Sequence, residues 1–372
     1  MKSPFKKRLA GVLAAVMVSA GLVSTAWAGE EKVLNIYNWS DYIAPDTIKN
    51  FEKETGIKVR YDVFDSNEIL HAKLIAKKTG YDIVVPSSNW AKLQIEGGLF
   101  QKLDKSKLTN YGNLDAGLLK QLAKVDPGNQ YLIDWMWSYN TVGINVDKVK
   151  KALGTTPMPD NVWELIFNPK YADKLKTCGI TFLDTAADVF PAALHYMGKD
   201  PYSNNAADYT AAYDMMKKIR PDIKRFNSGG QIDALASGSI CAAYGWAGDF
   251  NLARKKSIEN KSPQNIVALV PKNGGLMFMD TMAIPADAPH PGNALKFMNY
   301  VLQPKVVAEI TNTVTYANPN RAATPFVDAE IRNNKSIFLS DEDIAKLVAP
   351  GTVDNSTRRT MTRLFTRFKS GL

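Results

Sequence analysis

Two cysteines and three histidines are all that 372 residues contain of the side chains most used to hold transition metals. His71, His195 and His290 are scattered, and with Cys178 and Cys241 they reproduce none of the spacings of a zinc site. The G-x-S-x-G motif is absent and no histidine has a triad-like setting, so a serine hydrolase lacks its nucleophile signature. Neither a P-loop nor a G-x-G-x-x-G fingerprint occurs. There is no internal repeat, low-complexity tract or flexible Gly/Ser linker. Beyond residue 28 no apolar run is long enough to cross a bilayer.

The first residues are different in kind. Lys2, Lys6, Lys7 and Arg8 precede the apolar "LAGVLAAVMVSAGLVSTAWA", which ends in small residues around Ala26-Trp27-Ala28. That is the layout of a secretory signal peptide, with cleavage expected after Ala28. No cysteine lies near that point, so no lipid anchor is expected on the soluble mature chain. Cleavage would remove four positive charges from the formal +9 and leave +5. In an oxidising compartment Cys178 and Cys241 are expected to be bridged, as a structural cross-link. The one concentrated basic run is the C-terminal "STRRTMTRLFTRFKSGL". Its spacing predicts a helix docked by Leu364, Phe365 and Phe368, with Arg359, Arg363 and Arg367 in water. A nucleic-acid or membrane-surface helix is the weaker reading of the same pattern, and no nucleic-acid partner is expected.

Along the chain, residues 33–37 read as a strand. Pro45 and Asp46 open a helix with Ile48 and Phe51 inward, and Gly56 closes it. "IKVRYDVF" alternates as a strand does, "SNEILHAKLIAKKTG" reads as a helix ending at Gly80, and "YDIVVPSS" as a strand buried on both faces. That succession is a parallel α/β unit. A second series follows "YLIDWMWSYNTVGINVDKV": the helical "VWELIFNPKYADKL", the strands "CGITFLD" and "SICAAYGW", and helices between them. "NIVALVPKNGGLMFMDTMAIP" reads as extended chain and "NALKFMNYVLQPKVVAEITNTV" as helices. The expectation is an α/β fold of two lobes, each a mixed, mainly parallel sheet flanked by helices. Residues 29–138 and 274–316 form one lobe, and 139–273 with 317–372 the other.

Ligands of open parallel sheets sit beyond the carboxyl ends of the strands. Three strings at such positions combine aromatics with carboxylates: "NWSDY" with Trp39, Asp41 and Tyr42, "GWAGDF" with Trp246 and Asp249, and "FMD" with Phe278 and Asp280. Tyr316 lies at the last crossing. None of the three strings contains Lys, Arg or His. Carboxylates gathered in a dry cleft without a basic partner raise one another's pKa, and a cationic ligand relieves this. Aromatic faces add about 0.5–2 kcal/mol each for a cation. The pattern suits a diffusible organic cation with an amine at each end, held without cofactor, metal or catalysis. A sugar would also stack on Trp, but it would want amide and basic partners. A glycosidase would want a carboxylate pair assigned as acid and base. A ferric-ion carrier would want clustered tyrosines, and no adjacent tyrosine pair is present.

The strings "IYNWSDYIAPDTIKNFEKETGIKV", "YDVFDSNE", "YDIVVPS", "GINVDKVK", "GWAGD" and "YANPNRAATP" resemble, in order and across the mature chain, the periplasmic polyamine-binding proteins of bacterial ABC importers, the putrescine-binding group above all. The resemblance implies a two-lobed periplasmic binding protein of type II and a monomer. It further implies a polyamine between the lobes and delivery to an inner-membrane permease. It places Trp39, Tyr42, Trp246, Phe278 and Tyr316 as aromatic surround, Ser40 and Asp41 on one amine, and Ser87 as a polar cleft residue. Asp249 and Asp280 match the family's carboxylates. Asp188 stands where putrescine-type relatives carry Glu, one methylene longer. Asp41, Asp249 and Phe278 fit the putrescine-preferring pattern, whereas spermidine-preferring members carry a second acid near Thr185. Asn89 and Trp90 fall in the lid region that varies with specificity, so spermidine, cadaverine and agmatine stay open, as does a sensing role. Cys178 and Cys241 fall where close relatives carry a disulfide.

Overall fold

The computed structural model describes residues 30–371, so the expected signal peptide lies outside the described residues. Short apolar strands alternating with helices build the first lobe: β1 (Val33–Trp39), α1 (Thr47–Thr55), β2 (Lys58–Phe64), α2 (Asn67–Ala76), β3 (Ile83–Val84), α3 (Ser88–Glu96) and α4 (Ala116–Leu122). The three strands are parallel in the order β2-β1-β3. Gly56, at φ +69°, ends α1 by donating its N–H to Glu52 O, a left-handed cap that glycine adopts without strain. Thr47 and Phe51 are the buried residues of α1, and Ile48 is only half-buried. The second helix stops at Ala76, short of the expected Gly80. Lys77 and Lys78 have φ +59° and +51°, and the Lys78 N–H donates to Asp287 at 2.5 Å, so a tertiary bond replaces the last helical turn.

β4 (Ile133–Asn145) joins the lobes. All thirteen of its residues are buried, as a strand covered on both faces must be. The second lobe continues with α5 (Val146–Leu153), α6 (Glu164–Phe167), α7 (Pro169–Leu175), β5 (Ile180–Phe182), α8 (Ala186–Tyr196), α9 (Ala206–Lys217), β6 (Ile223–Phe226), α10 (Gln231–Ala236), β7 (Ala242–Trp246), α11 (Ala247–Glu259) and β8 (Ile266–Ala268). "VWELIFNPKYADKL" is thus two short helices and not one. Pro169 disfavours helical backbone at the residue before it, and Asn168 is extended (φ −98°, ψ 120°) and caps the second piece.

The larger sheet runs β6-β5-β7-β4-β8, parallel at β5 and antiparallel around β4. β9 (Leu276–Met282) returns along the first half of β4, from Ile133 to Asn140, while β7 and β8 take its second half. Bridges from Val84 to Ala283 and from Ser87 to Asp280 tie β9 to the end of β3. Two strands therefore carry the chain between lobes. α12 (Pro291–Val301) and α13 (Pro304–Val314) cover the first lobe. Residues 321–326 still pack beside it: Ala323 joins its core, Arg321 pairs with Asp115, and Leu114 bridges Asn320. After α14 (Ala329–Arg332) and α15 (Asp341–Lys346), α16 (Asn355–Ser370) docks on α8 and α9. It buries Met361, Leu364, Phe365 and Phe368 and leaves Arg359, Arg363 and Arg367 exposed, as its periodicity predicts.

Cys178 and Cys241 are bonded, with their Cα atoms 5.4 Å apart. They stand 63 positions apart in the second lobe, for which loop-closure entropy predicts about 4 kcal/mol. Urea unfolding of a Cys178→Ser, Cys241→Ser double variant is expected to show a loss of about 2–4 kcal/mol. An unchanged unfolding midpoint would count against that role.

Candidate functional site

The parallel strands of both sheets direct their carboxyl ends at one cleft. It holds about 890 Å³ of empty space, counting its opening to solvent. All eleven residues singled out in the sequence line it: Trp39, Ser40, Asp41, Tyr42 and Ser87 from the ends of β1 and β3, Asp188 after β5, Trp246 and Asp249 after β7, Phe278 and Asp280 on β9, and Tyr316 after α13.

Two buried carboxylates anchor it. Asp280, 5% exposed, accepts hydrogen bonds from Ser87 Oγ at 2.6 Å and Tyr42 Oη at 2.9 Å. Asp249, 9% exposed, accepts from Tyr316 Oη at 2.6 Å. Burial pushes both carboxyls up to about 7 against the pull of those hydrogen bonds. The tyrosines are themselves held neutral, raised by burial and by the carboxylate each one serves. Their rings meet edge to face at 4.9 Å, so the two anchors form one coupled unit. The close approach requires Gly248, where a Cβ would lie 2.2 Å from the Tyr316 ring.

Aromatic rings fill the space around them. Trp39 packs on Phe64 at 4.5 Å and meets Trp246 of the other lobe at 6.2 Å, nearly edge-on. Its Nε1 donates to Val85 O at 2.9 Å, which fixes the indole plane. Phe278 and Asp280, two apart on a strand, share the cleft face, and Phe278 stands 6.5 Å from Tyr316. Asp188 accepts from Asn140 Nδ2 at 3.2 Å. Burial raises it to about 6, opposed by that hydrogen bond. Its side chain lines the cleft.

Ser40 and Asp41 sit at the rim. Ser40 Oγ donates to Asp65 at 3.3 Å. Asp41 adopts φ +54°, a left-handed conformation in which Asp is enriched, and its exposed carboxylate lies 3.9 Å from Lys256 Nζ. Lys256 also approaches Asp233, at 3.7 Å. A basic side chain thus reaches the rim from outside the three aromatic strings, and it is Asp41 rather than the inner carboxylates that it pairs with.

Sequence reasoning passed over several lining residues. Phe64, Asp65 and Asn67 come from the end of β2, and Ser228 and Gly229 from the end of β6. "VFDSNE" has the same aromatic-carboxylate signature as "NWSDY", "GWAGDF" and "FMD". Asn67 orients Ser87 from both sides, accepting from its N–H at 3.0 Å and donating to its Oγ at 3.1 Å. Behind the cleft, Asp134 on β4 is 2% exposed, and among the described residues neither of its carboxylate oxygens has a hydrogen-bond partner. Burial, and then the charge of Asp280, push it well above the ordinary carboxylate range.

Two α/β lobes with the site between them, the first built on a parallel β2-β1-β3 sheet, give this chain the fold of the type II periplasmic binding proteins. The chain is a member of the bacterial extracellular solute-binding protein family, whose pattern matches residues 46–338. It is 48% identical over 367 residues to the putrescine-binding periplasmic protein PotF of Escherichia coli (strain K12), with 98% of each chain covered. It is 46% identical over 365 residues to the putrescine-binding periplasmic protein SpuD of Pseudomonas aeruginosa (strain UCBPP-PA14), covering 98% of this chain and 99% of that one. Among solved structures, the spermidine/putrescine ABC transporter substrate-binding protein PotD from Streptococcus pneumoniae strain Canada MDR_19A, in complex with calcium and HEPES, aligns with a TM-score of 0.74 at 25% identity. That alignment covers 92% of this chain and 99% of the other.

Asp249 and Asp280 hold a proton more tightly in the folded protein than in the unfolded chain. Their contribution to stability is therefore full below about pH 4 and is lost as pH rises through 7. The thermal midpoint of the ligand-free protein is expected to fall between pH 5 and pH 8, and an Asp249→Asn, Asp280→Asn double variant to fall less. Parallel profiles for the two proteins would contradict the assignment.

Proposed function

We propose that this chain is the periplasmic binding component of an ABC polyamine importer. In this reading it takes putrescine between its lobes and hands it to an inner-membrane permease. The observation that carries the reading is the pair of buried carboxylates, Asp249 and Asp280, set among aromatic rings, with no basic side chain among the described residues in ion-pair contact with either and only Lys256 acting on Asp249 from a distance. A diamine supplies the missing charge at its ends and methylenes for the rings between. The full-length similarity to putrescine-binding relatives supports the same ligand. The chain acts as a monomer and carries its ligand unchanged. It reaches the periplasm through its amino-terminal signal, cleaved after Ala28.

The size of the ligand limits the affinity. Putrescine has about six heavy atoms, and the best small ligands gain ~1.5 kcal/mol per atom. A ceiling of about 9 kcal/mol corresponds to micromolar to high-nanomolar dissociation constants. Calorimetry on the mature protein, stripped of carried ligand by unfolding and refolding, tests the reading with putrescine, cadaverine, agmatine and spermidine, and with a neutral sugar and glutamate as controls. One-to-one binding of the short diamines is expected. Silence toward every amine from a folded protein would overturn it. Asp280→Ala and Trp39→Ala are each expected to remove most binding while thermal unfolding stays cooperative.

Binding should also depend on pH. A bound ammonium favours ionised carboxylates, so each of Asp249 and Asp280 that is protonated in the free cleft releases its proton. Putrescine affinity is expected to rise about tenfold per coupled carboxylate between pH 6 and pH 8. The released protons appear as a buffer-dependent binding enthalpy. A flat affinity profile with no buffer dependence would contradict this coupling.

A further inference from the structure

Beyond the Asp188 end of the cleft lies a second, smaller cavity, sharing Asn89 and Ala187 with the first. Pro191 and Tyr202 of the second lobe, Thr352 and Val353 of the connection before α16, and Arg358 on that helix complete its wall. The Arg358 guanidinium lies 4.2 Å over the ring of Trp90. Trp90 belongs to α3 of the first lobe and is 5% exposed. The stack therefore spans the two lobes at one end of the ligand cleft. His71 backs the indole from its own lobe at 5.2 Å.

Arg358 has little to neutralise it. Among the described residues its Nε is buried with no hydrogen-bond partner, and none of the ion pairs includes it. Glu68 on α2 is the carboxylate whose charge reaches it, and His71 in turn senses its positive charge. The inner cleft is thus rich in carboxylates, while the cavity that prolongs it ends in a fixed cation. A diamine satisfied by the inner carboxylates never meets that cation. A triamine extended along the same axis would place its third ammonium near it, and like charges at short range in a poorly solvated pocket are strongly disfavoured.

We propose that Arg358, clamped on Trp90, is a specificity-determining residue that sets the length of amine the cleft accepts, admitting diamines and rejecting triamines. This rests on the polyamine reading above. Arg358 is distinct from the residues placed in the binding machinery, so its replacement leaves the diamine contacts intact.

The test is calorimetric titration of putrescine and spermidine into the wild-type protein, Arg358→Met and Arg358→Lys, each shown by thermal unfolding to be folded. Arg358→Met is expected to bind putrescine within about threefold of wild type and spermidine at least tenfold more tightly than wild type. Arg358→Lys, which keeps the charge, is expected to retain the discrimination. Spermidine affinity unchanged in Arg358→Met would overturn the proposal. So would an equal loss for both amines, which would make the stack a clasp between lobes and nothing more. A gain in spermidine affinity shared by both variants would assign discrimination to the guanidinium shape and overturn the charge argument. If wild type bound neither amine, the polyamine reading itself would fail, and that outcome is read from the wild-type titration alone.

Discussion

Carboxylates withdrawn from water without a cation beside them are the constraint on which the rest of this molecule turns. Asp249 and Asp280 come from opposite sides of the cleft, and each is held by a tyrosine hydroxyl that can donate but cannot neutralise. Asp134 adds a third acid close behind. Desolvation raises the cost of ionising each of them, and each charge raises the cost for the next. The free protein lowers that cost by retaining protons, and an organic cation lowers it by supplying charge. Everything else in the site serves this balance: Ser87 and Asn67 orient one carboxylate, Gly248 lets Tyr316 approach the other, and the indoles limit the water.

The architecture delivers these groups by a simple device. Strands β1, β2 and β3 of one sheet and β5, β6 and β7 of the other all end at the cleft, so each delivers side chains from its last residue or from the segment that follows it. β4 and β9 make the device two-sided. They run through both lobes as an antiparallel pair, and β9 presents Phe278 and Asp280 at the junction itself. Residues from two sheets thereby share one ligand space, and one hydrophobic cluster runs on from Tyr37, Phe64 and Val84 of the first sheet to Ala243 and Ile266 of the second.

Much of this was legible in the chain. A short apolar run followed by an aromatic and an acid marks a strand end that faces a ligand, and "NWSDY", "GWAGDF" and "FMD" were readable on that ground. "VFDSNE" carries the same mark, so Phe64 and Asp65 are readable on the same ground. Asp134 was beyond reach. Its place behind Asp280 depends on the register of β4 against β9 and on a bulge between Asp134 and Met136, neither of which local sequence records. Lys256 was hidden for a related reason. It sits two turns beyond Asp249 on α11 and reaches Asp41 only because the lobes face each other. Helix limits failed where tertiary bonds intervened, at Lys78 with Asp287, and where Pro169 split a run whose apolar spacing alone read as continuous.

The disulfide has a quiet consequence for how this fold can diversify. Cys178 precedes β5 and Cys241 precedes β7, so the bond lies at the amino ends of two strands whose carboxyl ends line the cleft. It also closes a loop wholly inside the second lobe. The cross-link therefore consolidates the scaffold from the face opposite the ligand and leaves the strand ends and the passage between lobes unrestrained. Side chains around the cleft can be exchanged for a new ligand without disturbing the bond that keeps the lobe together, and the lobes can part without straining it. Durability and choice of ligand are assigned to opposite ends of the same strands.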